Sequence, residues 1–113
     1  MIIYVEVTRI PTPTPVENTE PDVPSGLKAA AGKKKVTLTW KKMSDIAGYQ
    51  IRYSLKKNMK SAKTVNVNKT KTKQVIKKLT SKKTYYFQIR SYKFVKGKMY
   101  YSKWSGKKSV KVK

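Results

Sequence analysis

Residues 85–92 read Tyr85-Tyr86-Phe87-Gln88-Ile89-Arg90-Ser91-Tyr92, and their alternation decides the fold. Tyr85, Phe87, Ile89 and Ser91 fall on one side of an extended chain, and Tyr86, Gln88, Arg90 and Tyr92 fall on the other. Successive side chains of a strand point to opposite faces, so this stretch has one dry face and one wet face. The same period recurs before and after it. Val36, Leu38 and Trp40 alternate with Lys35, Thr37, Thr39 and Lys41; Tyr49, Ile51 and Tyr53 alternate with Gln50, Arg52 and Ser54. Val110 and Val112 alternate with Ser109, Lys111 and Lys113. No window carries a 3.6-residue apolar stripe. Gly32, Gly48, Gly97 and Gly106 stand between the runs, where turns are expected. Short strands at this spacing predict an all-β protein, an antiparallel β-sandwich of about seven strands.

The chain has 113 residues, 28 Lys+Arg, five Asp+Glu, no His and no Cys, for a formal net charge of +23. One domain is expected at this length. Without Cys or His there is no disulfide framework, no Cys/His zinc site, and no Ser-His-Asp or Cys-His catalytic set. No run approaches the roughly 18 apolar residues of a membrane-spanning helix. Two Trp, eight Tyr and many β-branched residues separate the chain from disordered sequences.

Charge and proline divide the chain near Gly26. Residues 1–25 hold Glu6, Glu17, Glu20 and Asp22 against Arg9, together with all five prolines: Pro11, Pro13, Pro15, Pro21 and Pro24. Residues 26–113 hold 27 bases against Asp45. Residues 11–25 therefore read as an extended, acidic Pro/Thr linker that spans about 45 Å at ~3.1 Å per residue. Residues 1–10 alternate around Tyr4 and Glu6 and lack the basic start of a secretory signal. They read either as the last strand of an upstream domain or as sequence foreign to the natural protein. Residues 26–113 form the expected domain, and the chain is expected to be a piece of a longer polypeptide.

Residues 21–113 resemble a fibronectin type III domain. Pro21, Pro24 and Leu27 match the family's opening, and Trp40, after Val36 and Leu38, matches the core Trp of its strand B. Tyr49, Ile51 and Tyr53 match its strand C; Leu79 and Tyr85 keep its six-residue spacing, followed by Phe87 and Ile89. The resemblance implies a seven-stranded immunoglobulin-like sandwich. It also implies a tyrosine corner, in which the Tyr85 hydroxyl bonds to backbone near the preceding turn. That turn holds Ser81-Lys82 where the family often has Pro-Gly. The Lys-rich style looks like modules of exported, multidomain surface proteins of Gram-positive bacteria. This implies an extracellular or cell-surface location and a spacing role beside neighbouring domains of the same polypeptide. Tyr101-Ser102-Lys103-Trp104-Ser105 resembles the Trp-Ser-x-Trp-Ser stretch of cytokine-receptor modules, with Tyr for the first Trp. That resemblance implies cation–π stacking of Trp104 on Arg90 and Arg52, which share the outward parity. A rival reading makes Trp104 part of a sugar platform.

Catalysis is not expected: Asp45 is the single carboxylate after residue 25 and reads as a turn aspartate. No cofactor or metal site is expected either. The integrin-binding Arg-Gly-Asp of some family members is absent from the corresponding loop, about residues 93–98. Lys93, Lys96 and Lys98 of that loop are candidate polyanion contacts. The positive charge has three readings: a solubilising coat on a spacer, an adhesive surface for anionic cell-wall polymer, or non-specific nucleic-acid binding. Lys outnumbers Arg 25 to 3, whereas bidentate reading of guanine favours Arg, so specific nucleic-acid recognition is not expected. The charge favours a monomer.

Overall fold

The computed structural model describes residues 20–113. The expected leader, residues 1–10, and most of the linker, residues 11–25, lie outside the described residues. The described chain forms eight strands and no helix: β1 (Lys28–Gly32), β2 (Lys35–Thr39), β3 (Gly48–Ser54), β4 (Lys63–Asn68), β5 (Lys73–Ile76), β6 (Thr84–Val95), β7 (Lys98–Tyr101) and β8 (Lys108–Lys111). They build two antiparallel sheets, one in the order β1-β2-β5. The other runs β4-β3-β6, with β7 and β8 both paired to the free side of β6. The seventh strand of the sequence reading is thus interrupted: β7 pairs Lys98–Tyr101 with Tyr92–Val95, and β8 pairs Lys108–Lys111 with Thr84–Phe87.

The alternation read from the sequence becomes the core. Val36 and Leu38 of β2 face Tyr49 and Ile51 of β3 and Phe87 and Ile89 of β6, and all six are fully buried. Burying one such aliphatic or aromatic side chain contributes about 1.5–3 kcal/mol. Trp40, Leu79 and Tyr85 are buried at the rim of this cluster, and Tyr53 is half-buried against it. Trp40 meets Tyr49 edge-on at 5.3 Å between ring centroids. Its indole N–H is buried without a hydrogen-bond partner. The Tyr85 hydroxyl accepts the Thr80 N–H at 2.9 Å. One side chain thereby fixes the turn that leads into β6.

The packed body starts ahead of Gly26. Pro21 and Pro24 are buried. Ser91 Oγ donates to the Asp22 carbonyl at 2.6 Å, and the Lys41 N–H donates to the Ser25 carbonyl at 3.0 Å. Two glycines behave differently. Gly97 does sit in a turn: Lys96 (φ 53°) and Gly97 (φ 80°) are the two central residues of the β6–β7 hairpin. That left-handed pair is the type I′ geometry that matches strand twist. Gly48 instead opens β3 and pairs with Tyr92 across the ladder. A Cβ there would lie 2.7 Å from Cζ of Tyr92. The glycine is needed so that the ring can lie over the strand.

Candidate functional site

Arg52 and Arg90 come together because of register. β3 and β6 pair Gln50 with Arg90 and Arg52 with Gln88, so the two arginines sit on adjacent strands of the outer face, two residues apart in register. Each guanidinium is aimed by the glutamine opposite. Arg52 Nε and Nη2 donate to Gln88 Oε1 at 2.9 and 2.7 Å. Arg90 Nε donates to Gln50 Oε1 at 2.8 Å, and Gln50 Nε2 donates on to Asn66 Oδ1 at 3.0 Å. Both guanidinium carbons lie 4.4 Å from the Trp104 ring centroid, and that of Arg90 lies 3.9 Å from the Tyr101 centroid. Burial pushes the Arg90 guanidinium below arginine's ordinary value; Arg52 adds to that shift and Tyr101 opposes it.

Trp104 reaches this position because the chain leaves the ladder between β7 and β8. Ser102 and Ser105 replace the missing strand contacts one for one. The Ser102 N–H donates to the Ser91 carbonyl at 2.9 Å, while its Oγ accepts the Ser91 N–H at 3.0 Å. The Ser105 N–H donates to the Ile89 carbonyl at 2.8 Å, while its Oγ accepts the Ile89 N–H at 3.0 Å. Gln88 Nε2 adds a bond to the Ser105 carbonyl at 2.8 Å. Alternate residues of β6 are thus satisfied by two serines three apart, and of the two residues between them Trp104 swings over the arginines. The hydroxyl pairing was not read from the sequence, although the Ser-x-x-Ser spacing carries its signal. Trp104 thus carries both guanidiniums over its half-buried ring.

The lysines expected at the β6–β7 connection are distributed otherwise than expected. Residues 93–95 and 98 belong to the strands, so the loop shrinks to Lys96-Gly97. Lys96 is exposed at the turn, and Lys98 Nζ lies 5.7 Å from the Tyr100 ring centroid. Lys93 pairs with Tyr100 and lines a concavity with Glu20, Asp22 and Asp45, the three carboxylates of the described residues. Every other lysine is exposed. Phe94, 57 % exposed, and Tyr101, 38 % exposed, lie on the opposite face of the same hairpin around Tyr92.

Among the described residues, the opposite end of the sandwich has no Asp or Glu. There the β1–β2 turn, the β5–β6 connection and the C-terminal segment are tied by backbone bonds. The Leu79 N–H donates to the Lys34 carbonyl, the Lys82 N–H to the Val112 carbonyl, the Lys113 N–H to the Gly32 carbonyl and the Lys34 N–H to the Lys113 carbonyl. The β3–β4 loop joins them across a concavity of about 290 Å³ that contains Ser61 and Lys63 on one wall and Lys78 and Thr80 on the other.

The family profile of the Fibronectin type III domain matches residues 22–106. The chain belongs to this family. Solved structures agree on the fold. The fn3 domain of human contactin 1 superposes with a TM-score of 0.71 at 12% identity, covering 93% of this chain and 88% of that one. The fn3 domain of the human collagen alpha-1(XX) chain gives 0.69 at 13% identity, covering 86% and 90%. The chicken CNTN1 FN1-FN3 domains give 0.67 at 19% identity, covering 80% of this chain and 30% of that one. This fibronectin type III chain therefore spans about a third of that three-domain structure. No curated protein matches it. Among the described residues no helix is long and apolar enough to cross a membrane.

Proposed function

We propose that this domain is a non-catalytic spacing and presenting module of a multidomain extracellular bacterial protein. One observation carries the reading: the chain comes in at one end of the sandwich and leaves at the other. Glu20 and Asp22 lie beside the β2–β3 connection, with Ser44 and Asp45. Lys113 is bonded to Gly32 and Lys34 at the far turn. Units with that polarity string head to tail, and each adds its length between its neighbours. The family's usual place among other domains supports this role, and so does a surface covered by lysines, which keeps a spacer soluble. The Lys-rich style supports the bacterial cell-surface setting.

The test is a domain exchange in the parent polypeptide. Deleting residues 20–113 is expected to impair the activity of the flanking domains. Inserting an unrelated fibronectin type III domain of the same length is expected to restore it. Failure of the substitute to restore activity would show that this module contributes more than distance and would overturn the spacer reading.

A further inference from the structure

We infer that the concavity between the β3–β4 loop and the β5–β6 connection is a binding site for a base-free polyanion of the polyol-phosphate type. Lys63 and Lys78 are its ion-pairing groups. This goes beyond spacing, since it gives the module a ligand of its own. Four observations converge on it.

The first is charge. The segments that meet at this end contribute Lys33 and Lys34, Lys56, Lys57, Lys60 and Lys63, Lys77, Lys78, Lys82 and Lys83, and Lys111 and Lys113, all exposed and none facing a carboxylate of its own segment. The three carboxylates of the described residues gather at the other end, around Lys93. Lysines cover the rest of the surface as well, so what sets this end apart is that its lysines have no Asp or Glu among them.

The second is backbone conformation. Seven non-glycine residues among those described have positive φ: Lys34, Asp45, Met59, Ser61, Lys78, Lys82 and Lys96. Lys34, Met59, Ser61, Lys78 and Lys82 border this end. The left-handed region favours Gly or Asn, and three of these five positions hold lysine instead. Lysine stands at these positions against the local steric preference, and residues held so cluster at functional sites.

The third is shape. The site is a concavity of about 290 Å³ whose lining brings Ser61, Thr80, Lys63 and Lys78 together with Tyr53, Leu55 and Tyr85. Hydroxyl-bearing and apolar residues suit a polyol unit, and the two lysines suit its phosphates.

The fourth is where the exposed aromatic residues are. Phe94 and Tyr101 lie at the other end, by the β6–β7 hairpin. A single-stranded nucleic acid is held by cationic groove and stacking platform together. The exposed rings lie apart from this concavity, whose own Tyr85 is buried and Tyr53 half-buried; this and the preference for lysine over arginine favour a phosphate polymer that has no bases to stack.

The test is titration of the 113-residue chain with purified poly(glycerol phosphate) at several salt concentrations, with oligothymidylate of equal charge as comparator. Tighter binding of the polyol phosphate is expected. The pair Lys63→Gln/Lys78→Gln should weaken binding about tenfold and flatten the slope of log K against log salt by about 0.7 per lost phosphate contact. The pair Lys41→Gln/Lys42→Gln, which removes the same charge elsewhere, should change the affinity less than about twofold. Lys78→Gly separates ligand from stability: it relieves the left-handed backbone, so its Tm should hold or rise while its affinity falls. Equal weakening by both glutamine pairs, or equal binding of oligothymidylate, would reduce the site to diffuse attraction and overturn the inference. Neither result touches the spacer reading, which the domain exchange decides.

Discussion

Replacing Arg90 by methionine keeps a long apolar stem and removes the guanidinium. Three contacts disappear with it. The stacks on Tyr101 at 3.9 Å and on Trp104 at 4.4 Å are each about 0.5–1 kcal/mol. The charge-assisted bond to Gln50 at 2.8 Å adds about 1.5 kcal/mol. Two terms oppose the loss. The guanidinium is no longer desolvated, and its repulsion with Arg52 vanishes; both act on Arg90 in the structure. The net expectation is a loss of about 1–2 kcal/mol, or a fall in Tm of about 5–15 °C for a domain of this size. Urea unfolding followed by circular dichroism reads it, with an unchanged m-value showing that the two-state transition is intact. A double-mutant cycle with Trp104→Leu isolates the stack, with an expected coupling of about 0.5–1 kcal/mol. A coupling within about 0.3 kcal/mol of zero would refute the Arg90–Trp104 stack as a source of stability, because the two side chains would then act independently.

Ser105→Ala should cost about 1–3 kcal/mol by urea unfolding, since the buried Ile89 N–H loses its acceptor; a change under about 0.5 kcal/mol would mean that water or the backbone replaces it. Tyr85→Phe should cost about 1 kcal/mol, because the Thr80 N–H it releases is exposed enough to find water, and no change in Tm would empty the tyrosine corner of energetic content. Gly48→Ala should destabilise by about 1–3 kcal/mol through its contact with the Tyr92 ring, and Tyr92→Ser should recover part of that loss; an additive double mutant would refute the clash. Finally, 27 bases against three carboxylates in residues 20–113 repel one another, so Tm should rise from low to physiological salt. A fall would show that attractive pairs dominate.

The legible part of the fold was the part written in period two. Residues 85–92 displayed β6, and Val36, Leu38, Tyr49 and Ile51 displayed their partners, because burial of alternate side chains leaves a mark on every second residue. The spacing from Leu79 to Tyr85 marked the corner for the same reason: one side chain must reach a fixed backbone donor. The break in the last strand was not legible. Ser102 and Ser105 satisfy β6 through hydroxyls, and nothing in their hydropathy distinguishes a serine that accepts a ladder amide from one facing water. Gly48 was read as a turn because glycine marks turns more often than it marks a ring lying over a strand. The stacking of Arg52 and Arg90 followed from parity on β3 and β6, yet their glutamine partners needed the register, which parity alone leaves free. The gathering of lysines at an end without Asp or Glu was hidden too. Lys33, Lys57, Lys82 and Lys113 are far apart in the chain and share one end of the molecule only through the topology.

The course of the chain through the sandwich also bears on mechanical load. A pull on the two ends of the domain draws β1 upward from its first residue and β8 downward from its last. Each force then runs along the strand, parallel to its ladder: five paired residues hold β1 to β2, and four hold β8 to β6. Loaded in shear, the hydrogen bonds of a ladder share the force and must yield together. Had both termini left at one end, those bonds would open one after another, like a zipper, at much lower force. The arrangement on which the proposed spacing role rests therefore also resists tension along the length of the domain.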